Sequence, residues 1–315
     1  MKSISYLTLL ISLLLFVTSC DKHMNYSECN FIYNSLEIDA EKLNRKVIIL
    51  GLDGVRSDAI MPDSSPFLYS LSEKKGVYFT PSHGVEQISY SGPNWSSILT
   101  GVHYEKHQVD DNSFGYPNYS EYPTFFEYIE SIDSSINTAS IVNWTPINIH
   151  ILSSIIDFSP QIPMSDLEVF EQAQNILLNA DPLEVDILFL HFDELDAAGH
   201  SYGFNHEVPE YVEVLYTLDS YVESLFNTIE AKRLINEDWL FLVVSDHGGD
   251  GTGHGDSSNP HINKTVFFAQ HPSINFKHQH TSNQTDLAPT IFDFLGISSP
   301  IFNCKTDGIS ILNYK

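Results

Sequence analysis

Aspartate and histidine recur along this chain at spacings that suit metal ligands. The candidates lie in the segments L-G-L-D-G, D-A-A-G-H, S-D-H-G and G-H-G and are Asp53, Asp196, His200, Asp246, His247 and His254. In a helical turn, residues four apart such as Asp196 and His200 share one face, so a carboxylate and an imidazole can reach one cation. Together these side chains offer enough ligands for two divalent cations. The histidine-rich set around His200 favours zinc, with manganese as the alternative.

A nucleophile for such a site is offered by Ser91 in S-G-P-N-W-S-S-I-L-T-G. The spacing predicts that Ser91 is the N-cap of a helix that ends at Gly101. The helix dipole and a nearby cation would both favour the ionised hydroxyl, because each places positive charge beside the oxygen. Asn94, three residues later, offers an amide donor toward the group that the serine attacks. The alternative is a serine that only caps the helix.

Five apolar segments alternate with amphipathic ones and predict buried strands, at residues 47–52, 138–142, 186–192, 240–244 and 265–269. This alternation is typical of an α/β protein, a three-layer sandwich in which helices flank a mostly parallel central sheet. Asp53, Asp196 and Asp246 each follow one of these strands. Because parallel strands end at the same edge of a sheet, we expect the three carboxylates to meet there.

The helices that cover this sheet have recognisable boundaries. Ser165 and Glu168 form a predicted capping box, and the helix that they open would bury Leu167, Phe170, Ala173 and Leu177. A second helix, over residues 209–232, would bury Val212, Leu215, Leu218, Val222, Leu225 and Ile229. A third is predicted to begin near Asp286 and to end at Gly296.

Length and charge limit the possible organisation and partners. With 315 residues, 42% of them hydrophobic, the chain can bury one large core, and we expect one catalytic domain over residues 45–315. The net charge of -26 provides no basic stripe for a nucleic-acid backbone. Cations held in a pocket can still attract an anionic substrate, so a small phosphoester remains a suitable partner.

The first twenty residues have the layout of a secretory signal: Lys2, an apolar run over residues 6–17, and V-T-S-C ending at Cys20. The last four residues resemble a bacterial lipobox, which predicts a lipoprotein signal peptide over residues 1–20. The mature chain would then begin at a lipidated Cys20, followed by an arm over residues 21–44. We expect a cell-envelope protein anchored to a membrane; an ordinary cleaved signal is the alternative. Cys29 and Cys304 are predicted either to pair or to be free buried thiols.

The order of the motifs resembles the alkaline phosphatase superfamily, and within it the type I phosphodiesterase/nucleotide pyrophosphatase group. The resemblance covers nearly the whole chain from Lys46. It implies an alkaline phosphatase-like fold and a two-metal phosphoric ester hydrolase that acts through a covalent phosphoseryl intermediate. One metal ion would be held by Asp53, Ser91, Asp246 and His247, and the other by Asp196, His200 and His254. Asn94 would correspond to the asparagine that contacts the phosphoryl oxygens.

Some features of the chain depart from that pattern. Trp95 stands where many nucleotide pyrophosphatases have a histidine, so the pocket beside the nucleophile differs. His261 in H-I-N-K-T-V-F is an alternative to His254 as a ligand. His191, His271, His278 and His280 are expected at the surface or behind the ligands.

Other functions stay open at this stage. A sulfatase needs a C/S-x-P-x-R segment, and no arginine follows Asn94-Trp95. A phosphomonoesterase of the same superfamily and a lipid-anchored binding protein without catalysis are the further alternatives.

Overall fold

The computed structural model of this chain describes residues 44–152, 156–179, 183–297 and 305–313. The predicted signal peptide and almost all of the predicted arm lie outside the described residues, as do Cys20, Cys29 and Cys304. The lipidation and the disulfide therefore stay predictions. In the four described ranges, no helix combines the length and the apolar character that crossing a bilayer requires.

The described residues form a sheet of six strands. They are β1 Arg45–Leu52, β2 Tyr78–Gly84, β3 Thr138–Val142, β4 Ile187–Phe192, β5 Asp238–Val244 and β6 Lys264–Gln270. Their order across the sheet is β2-β6-β5-β1-β4-β3. Strands β1, β3, β4 and β5 pair in parallel, whereas β6 pairs antiparallel with both β5 and β2. Because β6 alone among these six strands is reversed, the predicted mostly parallel sheet is confirmed.

Helices cover both faces of this sheet. They are α1 Pro66–Ser72, α2 Ser91–Thr100, α3 Tyr104–His107, α4 Phe125–Ile132, α5 Asp166–Leu177, α6 Glu194–Tyr202, α7 Pro209–Arg233 and α8 Leu287–Leu295. Alternate residues of β1 point to opposite faces. Val47 and Ile49 pack in the apolar cluster with α2, α4 and α8, whereas Ile48 and Leu50 pack with α1, α5, α6 and α7. The predicted three-layer α/β architecture is therefore confirmed.

The capping box at the start of α5 is present: Ser165 Oγ accepts the backbone N–H of Glu168, and the Glu168 carboxylate accepts that of Ser165. The predicted buried face is wrong at Leu167, which is 48% exposed. The residues that α5 buries are Val169, Ala173, Ile176 and Leu177. Leu167 precedes Val169 by two positions, about 200° of helix rotation, so it lies on the opposite side.

The long helix α7 matches the prediction in its bounds and in most of its buried face. Val212 is only partly buried, and Tyr211 takes the fully buried position beside it. The Tyr211 hydroxyl donates to the backbone oxygen of Gly54, which directly follows Asp53. A polar tip explains why a tyrosine can bury where the apolar pattern favoured a valine. Helix α7 is thereby bonded to the turn after β1.

Strand β2 was missed by the sequence pattern because its residues, Y-F-T-P-S-H-G, are mostly polar and include a proline. The strand lies at the edge of the sheet, where proline is tolerated because its missing N–H faces no partner. Pro81 falls at the register shift between Thr80 and His83. The edge position is therefore a property of the assembled sheet.

The carboxyl ends of the central strands meet at one edge. The register aligns Leu50 of β1 with Leu190 of β4 and with Val243 of β5. The residues that follow these strands are consequently neighbours: Asp53 after β1, helix α6 after β4, and Asp246 after β5. The candidate metal-ligating side chains of the chain therefore meet at this edge.

Candidate active site

Ser91 is the first residue of α2, and its side chain is buried against His247. The Ser91 Oγ lies 3.3 Å from the His247 Nε2. The predicted N-cap is wrong by one position, because Tyr90 is the N-cap residue and keeps an extended backbone. This shift places Ser91 on the helix itself, with its hydroxyl directed at the aspartates and histidines rather than at a helix N–H.

A first cluster consists of Asp53, Asp246 and His247, all fully buried. The His247 Nε2 lies 3.4 Å from Asp53 Oδ1 and 3.2 Å from Asp246 Oδ2. The Asp246 Oδ1 atom accepts the backbone N–H groups of Gly54 and of His247 itself. Each carboxylate therefore turns one oxygen toward the imidazole and holds the other against N–H donors.

A second cluster consists of Asp196, His200 and His254. The Asp196 and His200 side chains share one face of α6, as predicted, with 3.4 Å between Oδ2 and Nε2. His254 enters from the loop after β5, and its Nε2 lies 3.1 Å from that of His200 and 4.0 Å from Asp196 Oδ1. The two clusters touch, because the rings of His247 and His254 stack with 3.7 Å between centroids.

The three histidines share one hydrogen-bonding arrangement. Each Nδ1 bonds a backbone oxygen: His247 to Gly248, His254 to Ser89 and His200 to Thr252, at 2.7–2.9 Å. A carbonyl only accepts, so Nδ1 carries the proton and Nε2 keeps its lone pair. This arrangement directs three nitrogen lone pairs into the clusters, as in histidines that ligate a metal.

The carboxylates also present unused oxygens to the same space. Asp53 Oδ1, Asp196 Oδ1 and Asp246 Oδ2 are buried and have no hydrogen-bond donor. The possible ligand atoms of Asp53, Asp246 and His247 lie within 4.8 Å of one another, as do those of Asp196, His247 and His254. Bare carboxylate oxygens facing imidazole lone pairs repel unless a cation or a proton lies between them. The residues therefore fit the two divalent cations that the sequence predicted.

The pKa shifts that the protein's own groups cause also support a cation site here. Burial, with the neighbouring carboxylates of Asp53 and Asp193, raises the pKa of the Asp196 carboxyl to about 9. Burial also raises the pKa values of Asp53 and Asp246 well above their usual range. Burial, with the neighbouring His247, lowers the pKa of His254 to about 3. His254 thus offers these carboxylates no counter-charge, and a bound cation would favour their ionised forms.

Phe204 holds the second cluster in place. Its ring packs edge-on against the rings of His200 and His254. A Cβ added at Gly199 or Gly249 would lie 2.3 Å or 2.2 Å from that ring, so both positions need glycine. Phe204 is therefore wedged between α6 and the loop after β5, and it fixes the separation of their two histidines.

A family model for type I phosphodiesterase/nucleotide pyrophosphatase matches residues 47–284 of this chain. The chain belongs to that family. The matched range contains every residue of the two clusters and Ser91. Membership and site together indicate an enzyme that acts on phosphoesters.

Known proteins similar to this phosphodiesterase-family chain are distant. The human catalytic subunit of GPI ethanolamine phosphate transferase 3 is 28% identical over 153 residues, which are 46% of this chain and 13% of that protein. Murine ectonucleotide pyrophosphatase/phosphodiesterase 5 superposes with a TM-score of 0.64 at 15% identity, covering 85% of this chain and 100% of that one. The periplasmic domain of EcEptC from Escherichia coli, in complex with Zn, gives 0.62 at 16% identity, covering 84% and 86%. These two superpositions show the fold.

The hydrogen bonds of Asn94 and His261 go to partners outside the two clusters. Asn94 donates both amide hydrogens to backbone oxygens of Ile88 and Tyr90, and its oxygen accepts the N–H of Glu86. It shapes the loop before the nucleophile, so its predicted contact with a phosphoryl oxygen stays a prediction that the present bonds do not favour. His261 lies beside Arg56 and Asp58, at 3.0 Å and 3.5 Å from its Nδ1, whereas His254 lies beside His200 and Asp196 of the second cluster.

Asn112 is a site residue that the sequence did not reveal. Its Oδ1 accepts the N–H of Gly92, the residue after the nucleophile, at 2.7 Å. A Cβ at Gly92 would lie 2.8 Å from the backbone oxygen of Asp111, so glycine is needed for this approach. The Asn112 Nδ2 is bonded by no acceptor in the described ranges. In the sequence, the signal for this contact was the glycine after Ser91, because a glycine there indicates that another segment approaches the backbone closely.

Metal content should separate the two clusters. Asp246→Ala removes a ligand of the first cluster and Asp196→Ala one of the second, so each variant should lose mainly one of two bound ions in elemental analysis. Asp63→Ala, at an exposed position, is the matched control and should keep both. Unchanged metal content in both cluster variants would contradict this assignment.

The metal-free protein should lose stability as the pH rises from 7 to 9. In that range the folded chain keeps a proton on Asp196 that the unfolded chain, with a pKa near 3.8, has released. Each such proton lowers the free energy of unfolding by about 1.4 kcal/mol per pH unit. The lowered histidine pKa values affect stability only below this pH range, because an unfolded histidine is already neutral between pH 7 and 9.

Denaturant unfolding in a chelator, repeated at each pH, measures this slope. Asp196→Asn should reduce the slope by about one proton. A metal-loaded sample should show little slope, because a bound cation keeps the carboxylates ionised in the fold. A flat profile for the metal-free wild type would show that the carboxylates are not held protonated.

Proposed function

We propose that this chain is a phosphodiesterase or pyrophosphatase that works with two divalent metal ions, zinc in preference to manganese, and forms a covalent phosphoseryl intermediate. The observation that carries the proposal is the convergence of bare carboxylate oxygens and imidazole lone pairs beside the Ser91 hydroxyl. The substrate is a small phosphoester. The acceptor in the second step is water.

In this proposal the first ion is held by Asp53, Asp246 and His247 together with Ser91, and the second by Asp196, His200 and His254. Bound cations in such a site supply positive charge that stabilises the transferring phosphoryl group and favours the ionised forms of the serine and of water. The nitrogen-rich second set suits zinc, and zinc is also the metal in the EcEptC structure. The chain itself supplies the orientation, through the three Nδ1 hydrogen bonds to backbone oxygens.

The proposed reaction has two displacements at phosphorus. Ser91 Oγ loses its proton to solvent and forms a bond to phosphorus, while the bond from phosphorus to the leaving alcohol or phosphate breaks and that group takes up a proton. Water then attacks the same phosphorus, the bond to Oγ breaks, and Ser91 regains its proton. Two inversions give net retention of configuration.

Asn112 is proposed to contact the phosphoryl group in place of Asn94. Its Oδ1 is fixed by the Gly92 N–H, so its Nδ2 donor is oriented from beside the nucleophile. Asp111 stabilises the loop, because its carboxylate accepts the N–H of Ser113 at 2.7 Å. A donor held in this way can stabilise the charge that develops on a phosphoryl oxygen.

A transferase is the second candidate, because the human relative is an ethanolamine phosphate transferase. It would use the same serine and the same intermediate, with an alcohol in place of water as acceptor. Sulfatase activity is less well supported, since sulfatases hold a single hard cation with carboxylates and amides, whereas these clusters contain three histidines. A binding protein without catalysis would not need a serine beside the two clusters.

We also propose that the chain is a lipoprotein whose active site points away from the membrane. The predicted arm enters the sheet at Arg45, at the amino end of β1, and the site lies at the carboxyl ends of the strands. Leu178, Leu234 and Ile235 are exposed by 66%, 85% and 66% near the amino ends of β4 and β5. An apolar patch at the end of the sheet where β1 begins suits contact with a lipid surface.

Ser91→Ala should lower kcat by at least about 1,000-fold for an aryl phosphodiester, with two ions still bound. Ser97→Ala is the matched control, because it removes a hydroxyl of the same helix that bonds only His107. A chiral phosphorothioate substrate should give retention at phosphorus. Inversion, or an alanine variant nearly as active as wild type, would rule out the covalent mechanism.

Asn112→Asp should reduce kcat/KM by roughly 100-fold. The aspartate can still accept the Gly92 N–H, but it replaces the amide donor with an anionic oxygen. If Asn112 only stabilised the loop, this variant would be as active as wild type. Gly115→Asp adds the same charge three residues later in the same loop and should have a much smaller effect.

Cys20→Ser should block lipid attachment and release the protein from membranes. Wild-type protein should stay with the membrane fraction in high salt, because several acyl chains anchor far more strongly than one. Mass spectrometry of the mature N-terminus tests both points. Processing of the serine variant at the same bond, with wild type washing off freely, would indicate an ordinary secreted enzyme.

A further inference from the structure

One carboxylate oxygen of Asp53 accepts two hydrogen bonds, whereas the other accepts none. Its Oδ2 accepts the indole N–H of Trp95 at 2.9 Å and the Nε2–H of His191 at 3.1 Å. Its Oδ1 has no hydrogen-bond donor and lies 3.4 Å from the His247 Nε2. The two donors therefore select the side-chain orientation that presents Oδ1 to the first cluster.

Neither donor belongs to a side chain with a permanent positive charge. An indole N–H only donates and does not ionise. His191 must carry its proton on Nε2, because that nitrogen faces a carboxylate oxygen, and its buried Nδ1 has no partner, as suits an unprotonated nitrogen. A lysine or arginine in this place would orient Asp53 equally well but would repel a cation.

The packing around Trp95 and His191 favours their contact with Asp53. Trp95 and His191 are both fully buried, with their rings edge-on at 4.8 Å between centroids. His191 is the register partner of Gly51 across β1 and β4. A Cβ at Gly51 would lie 2.6 Å from the Trp95 ring, so a glycine two residues before Asp53 makes room for the indole.

We propose that Trp95 and His191 are positioning residues that form a donor clamp on Asp53 and preorganise the first cation site. The inference rests on the proposed function only in taking Asp53 as a ligand of that site. It also makes the Trp95 indole N–H a direct reporter of whether the first site holds a cation.

A competing interpretation is a third cation behind Asp53. The possible ligand atoms of Asp53, His191 and Asp193 lie within 4.8 Å of one another. A cation among them would have to displace the Trp95 and His191 hydrogens from Asp53 Oδ2. The donor clamp needs no such displacement. Three stoichiometric ions per chain would therefore overturn the clamp.

The decisive measurement is zinc affinity at each site, by competition with a chelator, for Trp95→Phe and Trp95→His. Removing the indole donor should weaken one of the two ions by roughly 10- to 100-fold and leave the other unchanged, as outer partners of metal ligands commonly do. Trp95→His restores an N–H donor and should recover part of that loss. Phe189→Leu is the matched packing control, because Phe189 contacts the Trp95 ring without bonding Asp53.

His191 gives the same comparison if Trp95 variants do not fold. His191→Gln keeps an N–H donor and should retain first-site affinity, whereas His191→Leu should lose it. In proton–nitrogen NMR spectra, zinc should shift the Trp95 indole signal and leave those of Trp144 and Trp239 nearly unchanged.

These readouts are independent of substrate. A protein that binds zinc as expected but hydrolyses no phosphoester would contradict the proposed function and leave the clamp supported. Equal zinc affinities for wild type, Trp95→Phe and His191→Leu would overturn the clamp whatever the activity. Loss of both ions in Trp95→Phe to the same extent as in Phe189→Leu would also overturn it, because packing alone would then explain the effect.

Discussion

The unfavourable free energy of ionising three buried carboxyl groups side by side is the constraint on which this structure depends. Asp53, Asp246 and Asp196 lie at one sheet edge with an unbonded oxygen each, and the histidines among them turn lone pairs rather than protons toward the same space. Such an arrangement is unfavourable for the protein by itself, because desolvated like charges repel strongly. It becomes favourable with cations, and the fold keeps it in place through hydrogen bonds to Asp53 Oδ2, to Asp246 Oδ1 and from the Nδ1 atoms of the three histidines.

The stabilising bonds come mostly from neutral groups. Backbone oxygens fix the histidine rings, backbone N–H groups fix Asp246, and an indole with a neutral imidazole fixes Asp53. None of these partners adds a charge that would compete with a metal ion or attract an anion to the wrong place. The chain can therefore have a net charge of -26 and still provide a site for an anionic substrate, because bound cations dominate the local field.

Glycines permit the close approaches that the site needs. At Gly199 and Gly249 the Phe204 ring occupies the space of a side chain, and at Gly92 the backbone of the Asn112 loop does so. These contacts link loops that are far apart in the chain: the residues after α6, the loop after β5 and the loop over the nucleophile. A phosphoester enzyme needs these loops to meet within hydrogen-bond distance, and bulkier residues would separate them.

The sequence by itself determined the alternation of strands and helices and the position of an aspartate after each central strand. It also indicated the pairing of Asp196 with His200 on one helical turn. These features follow from local periodicity, because buried parallel strands are continuous apolar runs and their carboxyl ends share one edge. The tertiary structure alone decided which nitrogen of each histidine is free, that Asn94 bonds its own loop, and that Asn112 and Trp95 reach the site. The contacts of Asn112, Trp95 and His254 join segments from 20 to more than 150 positions apart, and such contacts leave no periodic pattern in the chain.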